Sequence, residues 1–451
     1  MNPYSSTEAR EGGKSLQGLG AKSVIYQQHD TQTPGSEHSV NISSSLSLDS
    51  TSPRVNLSTP AVWSDVPLLP SQLLESYKVA PAPSHLFTER VPVALKSEPE
   101  PAVDEFWFQE APGQRDLSFS TVANEMINKS LGRQPGGTSV VEPDSILGES
   151  GRLYHGYKDG KYLLPNDAAE QDRLDLQHAI WRLVLDGWLA LAPLTTPPKF
   201  VLDIGTGTGI WANEFAEQNP SSYVIGTDLS AIQPNPAVPN CSFIKDDAEE
   251  KWCFPHPDPD HATPGSDGNS QRWISFDYVH LRMMLTCFDD TRVVIGQAFD
   301  NMTPGGWVEF QDTAFEFFQA NKSFAGNAIM RWAEGCNRGM EAIGRDGMKV
   351  YKYKGWLEDA GFTDVVHRHV WTPVSPWAED RKFRNIGAWS QSNLYDGAKG
   401  IGWRLLKAAG MGPEQIEHLI VEVRRELRLR DNNVYGLCHV VYGRKPFSEG
   451  E

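Results

Sequence analysis

Cysteine is scarce in this chain and poorly spaced for bridging. Its 451 residues include five, at positions 241, 253, 287, 336 and 438, an odd number with no Cys-x-x-Cys pair. That pattern fits reduced thiols in a cytoplasmic or nuclear protein better than a disulfide framework. Positive charge is also short, since 41 Lys and Arg against 58 Asp and Glu leave a formal net charge of −17. So acidic a surface repels phosphate backbones, and direct nucleic-acid binding is not expected. No uninterrupted apolar run reaches membrane length, and the opening MNPYSSTEAREGGKSLQGLG has no apolar core of a signal peptide. Neither membrane spanning nor secretion is expected. Internal repeats are absent.

What is present changes along the chain. Residues 1–60 are rich in Ser, Thr, Gln and Gly, most densely in SVNISSSLSLDSTSPRVNLSTP. Apolar surface there is too small to offset chain entropy, so a disordered tail is expected. Residues 61–145 carry apolar clusters, VPLLPSQLLESY and EFWF, among prolines and charges. They read either as a low-order linker or as a docking segment for a protein partner. A folded domain is expected over 146–446, with a ligand-binding half at about 196–315 and a cap with C-terminal strands at about 316–446.

NDAAEQDRLDLQHAIWRLV opens on a cap at Asn166 or Asp167 and places Leu174, Ile180, Leu183 and Val184 at helical spacing. KFVLDIGTGTG then reads as a buried strand, GIWANEFAEQNP as a helix, and SSYVIGTDLS and CSFIKDDAEE as two further strands. WISFDYVHLRMML predicts a fourth strand running into a helix. TRVVIGQAFDNMTPGGWVEFQD predicts a helix, a Pro-Gly-Gly turn and a fifth strand. This alternation indicates an α/β fold, with a mostly parallel sheet of seven strands covered by helices on both faces. AIMRWAEGCNRGMEAIG and YKGWLEDAG read as helices, as does the stripe Ile416, Leu419, Ile420, Val423 and Leu427. FTDVVHRHVWTPV and VYGLCHVVYGRK are strand-like and would close the sheet.

The densest signal is VLDIGTGTGIW, with glycines at 205, 207 and 209 where a strand becomes a helix. A dinucleotide site wants G-x-G-x-x-G with a pyrophosphate over the helix N-terminus. Here Ile210 stands where that spacing would put its third glycine, and Asp203 precedes the turn. A carboxylate sits poorly beside a pyrophosphate and well beside a ligand carrying ammonium and sulfonium charges. Asp228 ends the second strand, where it can accept hydrogen bonds from both ribose hydroxyls. Asp246-Asp247-Ala248 end the third. Acids after three successive strands, with no basic residue in the glycine turn, describe a cationic nucleoside without phosphate. That is S-adenosylmethionine. The plainer alternative is that these are ordinary solvated acids at strand ends.

VLDIGTGTGIW, VIGTDLS, IKDDAEEKW, FDYVHLRMM and PGGWVEFQD resemble the successive motifs of class I methyltransferases. Together with YHGYKDGKYLLPNDAAEQDRLDLQH they resemble the fungal LaeA-like branch, also described as TAM-domain methyltransferases. The likeness runs from Leu153 to Lys445, about two-thirds of the chain. It implies a Rossmann-like fold binding S-adenosylmethionine, with a helical cap, and a link to secondary metabolism. Members of that branch resemble either regulators in nuclear velvet-type complexes or tailoring enzymes of biosynthetic clusters. Carried onto this sequence, the family's cofactor site falls on Asp203, Gly205, Thr206, Gly207, Gly209, Asp228, Leu229, Asp247 and Ala248.

Methyl transfer needs alignment and exclusion of water, and a base only if the acceptor must lose a proton. His280 in YVHLRMM is the candidate base, with Arg282 beside it; a packed or hydrogen-bonded histidine is the alternative. Tyr154, His155 and Tyr157 precede the first helix and are candidates for a lid over the cofactor, or else cap the domain. Arg173 is the candidate for the cofactor carboxylate. His256, Asp258, Asp260 and His261 crowd together, but in a Pro- and Gly-rich loop that reads as an insertion without a scaffold for metal. Tryptophans 332, 356, 371, 377, 389 and 403 supply core or an apolar acceptor pocket. Three functions follow: a methyltransferase acting on a small molecule, a LaeA-like regulator acting through protein partners, and a cofactor-binding protein without transfer activity.

Overall fold

The computed structural model describes residues 142–257, 273–320, 327–429 and 432–448. All of them fall within one compact unit. The disordered tail read over 1–60, and all but the last four residues of the linker or docking segment read over 61–145, lie outside the described residues.

An antiparallel pair, β1 (Ile146–Leu147) and β2 (Leu153–Tyr154), leads into helix α1 (Ala168–Val184). Asp167 caps that helix, its carboxylate accepting from the Glu170 amide. Then come β3 (Phe200–Ile204), α2 (Ile210–Gln218), β4 (Tyr223–Asp228), β5 (Cys241–Lys245), β6 (Phe276–Arg282), α3 (Thr291–Asn301) and β7 (Met302–Thr313). After β8 (Phe318–Gln319) follow α4 (Ala328–Ala342), α5 (Tyr353–Asp359), β9 (Thr363–Pro373), α6 (Arg381–Ala408), α7 (Pro413–Leu427) and β10 (Val434–Arg444).

The main sheet runs β5-β4-β3-β6-β7-β10-β8, with β9 also paired to β10. β3 to β7 are parallel and β8 to β10 antiparallel, so the strand order reverses beside β3. That is the doubly wound arrangement expected, with the two-residue β8 as an eighth strand.

Alternation along each strand divides the core. Val201, Tyr278 and Val440 face the side that Trp181, Trp211 and Phe215 of α1 and α2 cover. Their neighbours Leu202, Val279 and Val441 face Val294 of α3 and Leu357 of α5. Strands buried on both faces are the signature of a helix-covered parallel sheet. A third cluster holds the cap, where Trp332 of α4, Leu405 of α6 and Ile420 of α7 pack together.

Two local expectations change. The chain after β6 forms turns over 283–289 rather than a helix, and the next helix starts at the Asp290 cap. Pro304-Gly305-Gly306 lies inside β7, where Gly305 has φ +81° and the register with β6 shifts.

Candidate functional site

The carboxyl ends of β3, β4, β5 and β6 border a cleft. Its floor is the glycine turn, in which Gly205, Gly207 and Gly209 have φ of +67°, +57° and +76°. Side chains rarely adopt that left-handed backbone. At two of these positions space is closed as well. A Cβ on Gly205 would lie 2.3 Å from Met284 Cε, and one on Gly209 2.4 Å from Phe243 Cζ. So the protein's own side chains crowd the first and third glycines, and backbone conformation alone requires the second.

Carboxylates organise this turn. Asp203 is 2% exposed; its Oδ2 accepts from Thr206 Oγ1 at 2.7 Å, and its Oδ1 accepts from His280 Nδ1 at 2.7 Å. Asp228 Oδ2 accepts from the Gly207 amide at 2.9 Å, while its Oδ1 accepts from the amide and hydroxyl of Ser230. Burial pushes the Asp228 carboxyl above its ordinary range, and the bonds from Ser230 and Gly207 oppose that shift. Thr206, Leu229, Asp247 and Ala248 border the same cleft.

Asp247 has company that the sequence reading did not supply. Lys158 and Lys161 reach its Oδ2 at 2.7 and 2.8 Å. Burial raises this carboxyl, but the two ammonium groups outweigh it and hold Asp247 below its ordinary value. The lysines come from the segment before α1, which lays Lys161, Tyr162, Pro165 and Asn166 along the cleft.

That placement corrects the lid assignment. Tyr154 and Tyr157 line neither of the cavities described here. Tyr154 is 1% exposed, held by Ser150 Oγ at 3.0 Å and by the Arg404 guanidinium 3.8 Å from its ring centre. Tyr157 lies beside the ammonium groups of Lys158 and Lys245. From this segment Lys161 and Tyr162 line the cleft. His155 is buried, with Nε2 3.3 Å from the Tyr162 carbonyl.

Arg173 is also displaced from its expected place. It borders a second cavity, where Glu170 and Asn393 hold its guanidinium, and does not line the glycine-turn cleft. Arg282 at the end of β6 does line that cleft. Its Nη2 donates to His178 Nδ1 at 2.9 Å, and His178 Nε2 donates to Glu214 at 2.7 Å. Burial lowers His178 to about 4 and Arg282 to about 10. His280 is fully buried, its ring parallel to Trp211 at 3.8 Å, and its Nε2 has no partner.

The second cavity abuts the first. Tyr162, Leu174, Gln177 and Met283 line both. Its walls are largely apolar and aromatic, including Trp181, Phe315, Phe317 and Trp332. Of the six tryptophans singled out above, Trp332 lines it; Trp371 instead stacks on Trp377 and Phe383.

Asp258, Asp260 and His261 lie outside the described residues. Among the described residues no group of three or more His, Cys, Asp and Glu side chains could hold a metal ion. No described helix is long and apolar enough to cross a membrane.

A doubly wound sheet with acids and a left-handed glycine turn at its strand ends defines a nucleoside-binding α/β protein of the methyltransferase class. Comparison with known proteins agrees. A family model described as a methyltransferase domain matches residues 176–367. The methyltransferase pytC of Aspergillus terreus is 32% identical over 300 residues, 66% of this chain and 87% of that protein. The secondary metabolism regulator laeA of Aspergillus fumigatus is 30% identical over 321 residues, 69% of this chain and 80% of that protein. The protein-methionine methyltransferase laeA of Emericella nidulans is 30% identical over 326 residues, 71% and 82% respectively. The chain belongs to the LaeA-like family of S-adenosylmethionine-dependent methyltransferases.

Proposed function

We propose that this enzyme moves a methyl group from S-adenosylmethionine to a small, largely apolar molecule of secondary metabolism. The carrying observation is the pair of cavities joined through Tyr162, Leu174, Gln177 and Met283. One has the donor set for an adenosyl sulfonium, and the other is an aromatic-walled chamber for an acceptor.

The cleft fits the cofactor chemically. Asp203, Asp228 and Asp247 suit a cation, and the turn carries no basic residue to attract phosphate. Asp228 Oδ2 holds a single partner, leaving acceptor capacity for a ribose hydroxyl. Asp247 and Ala248 would meet the adenine, with Asp247 sharing its carboxylate between the base and its lysines. Arg282, rather than Arg173, would hold the cofactor's carboxylate, since its guanidinium faces the cleft with a neutral imidazole as partner. When bound, the cofactor supplies an activated methyl group on a positively charged sulfur. The protein's task is alignment and dryness. Tyr162 and Met283 border the passage between the cavities, and the segment fastened by Lys158 and Lys161 covers one side of the cleft. His280 positions the turn through Asp203; we assign it no proton transfer.

Relatives named as secondary metabolism regulators support a second reading, regulation, for which we propose velvet-type protein partners in the nucleus, against cytoplasmic tailoring for the first. Release of S-adenosylhomocysteine on addition of small acceptors supports the first and excludes a binding protein without transfer. Association with velvet-type proteins in a nuclear extract supports the second.

Calorimetry on the full chain tests the cofactor site. We expect D228A to weaken S-adenosylmethionine by about tenfold or more, and D228N, which keeps an acceptor for Gly207, to retain the wild-type melting temperature. Unchanged affinity in D228A would count against the assignment.

A further inference from the structure

We propose that the acceptor enters the second cavity already ionised, as an oxyanion held by Arg173. It is a carboxylic acid or the acidic enol of a β-dicarbonyl compound, methylated on oxygen. This rests on the methyltransferase reading and narrows it to a substrate class.

Among the described residues that line the cavity, Arg173 is the one charged at neutral pH, and none is Asp, Glu, Lys or His. The side chain is 5% exposed and firmly oriented. Its Nε and Nη2 donate to Glu170 at 3.1 and 2.7 Å, and its Nη1 donates to Asn393 Oδ1 at 2.9 Å. A guanidinium has five donors, so two N–H groups remain beyond these bonds. Arg152, paired with Asp167 at 2.6 Å, also stands 3.9 Å from Glu170. Since Asn393 turns its oxygen to Arg173, its amide nitrogen is left to donate. Space for this arrangement is built into α6: a Cβ on Gly397 would lie 2.7 Å from Arg173 Cδ. Around this polar pole stand Trp181, Phe315, Phe317 and Trp332, which suit a flat, unsaturated acceptor.

Among the described residues that line this cavity, none is a ready base. A neutral alcohol must lose a proton as it is methylated, and some group must take it. Tyr162, at the junction, is a phenol that burial holds well above 10, so it is no carboxylate-like acceptor of protons at rest. Both nitrogens of His178 are engaged, by Glu214 and Arg282. His280 borders the cofactor cleft and not this cavity; its Nδ1 is bound to Asp203 and its ring lies parallel to Trp211. A fixed cation without a base selects an acceptor that brings its own negative charge. The step then balances without proton transfer. A lone pair on the acceptor oxygen forms the new O–CH3 bond while the C–S bond breaks and its electron pair passes to sulfur. Anion and sulfonium become a neutral methyl ester or enol ether and a neutral thioether.

The test is calorimetry on the full chain saturated with S-adenosylhomocysteine. The probes are dehydroacetic acid, an acidic enol, and cinnamic acid, each against its neutral methyl derivative. At neutral pH we expect at least one acid to bind about tenfold or more tightly than its methyl derivative, and the identity of that acid separates enol from carboxylate. The paired variant E170Q/R173M, which removes both buried charges together, should erase the preference while S-adenosylhomocysteine binds as before. N393D, which sets a carboxylate beside the guanidinium, should weaken the acid and leave its neutral derivative unaffected. Equal affinity for acid and neutral derivative, binding of neither acid, or a preference that survives E170Q/R173M would overturn the inference. Failure of S-adenosylhomocysteine itself to bind would instead overturn the methyltransferase reading beneath it.

Discussion

Single side chains in this protein act mostly by placing other groups. Asp203 ties the glycine turn to β6 by accepting from Thr206 on one oxygen and His280 on the other. The sequence singled out Asp203 as a partner for a cation and His280 as a candidate base, but the bond that joins them lies between two strands and no motif contains it. The lysines on Asp247 were not legible either, because 89 and 86 residues separate them from their partner in sequence. Periodicity carries no information about such a contact. Histidines away from the cleft give a residue-scale prediction. His439 on β10 is 1% exposed, accepts from or donates to His367 at 2.9 Å and lies opposite His369. Burial first, then the charges of its two histidine neighbours, lowers it to about 3. An unfolded histidine titrates at about 6.5. Below that pH the unfolded chain takes up a proton that the folded chain refuses, so stability falls as pH drops through the window from about 6.5 to 3. H439Q removes this contribution. Urea denaturation at about pH 7 and pH 5 should therefore show wild type losing on the order of 1 kcal/mol more than H439Q across that step. Equal losses would contradict the assignment.

At the scale of elements, glycine decides where helices meet. The sequence reading left 381–408 without an element, yet α6 is a helix of 28 residues. Its glycines at 387, 397, 400 and 402 lower helix propensity and blur the apolar stripe. Each one is also where another part of the chain abuts it: Cβ atoms there would meet the Ser375 carbonyl, Arg173, Arg152 and Trp332. Tertiary packing overrides propensity here, a term no local pattern contains. The same logic gives a test at the crossing of α4 and α6, where a Cβ on Gly339 would lie 2.0 Å from the Leu405 carbonyl oxygen. Backbone cannot swing aside as a side chain can. We expect G339A to destabilise the fold by about 2–4 kcal/mol in urea titrations. G296A on α3, where a Cβ meets nothing within 4 Å, should be neutral or stabilising by about 0.5–1 kcal/mol. The reverse order would show that α4 and α6 do not pack as described.

Across the whole molecule, the parallel sheet was readable because five strands announce themselves by apolar runs ending in turn chemistry. The cofactor half of the site was readable for the same reason, as its residues sit at strand ends. The acceptor half was not. Its walls come from α1, the loops after β6 and β7, α4, α6 and the strand β10, so no single motif contains it. Arg173 shows the consequence: judged by position in the chain it belonged with the cofactor, and folding of α6 across α1 sets it in the neighbouring chamber. The central claim is that one cleft holds an adenosyl sulfonium with its sulfur toward that chamber. A crystal structure of the full chain with S-adenosylhomocysteine tests it most directly. The account predicts the ribose on Asp228, the adenine beside Asp247 and Ala248, and the sulfur opening toward Tyr162 and Met283. A ligand bound elsewhere, or one whose sulfur faces solvent with the aromatic chamber behind its adenine, would contradict it.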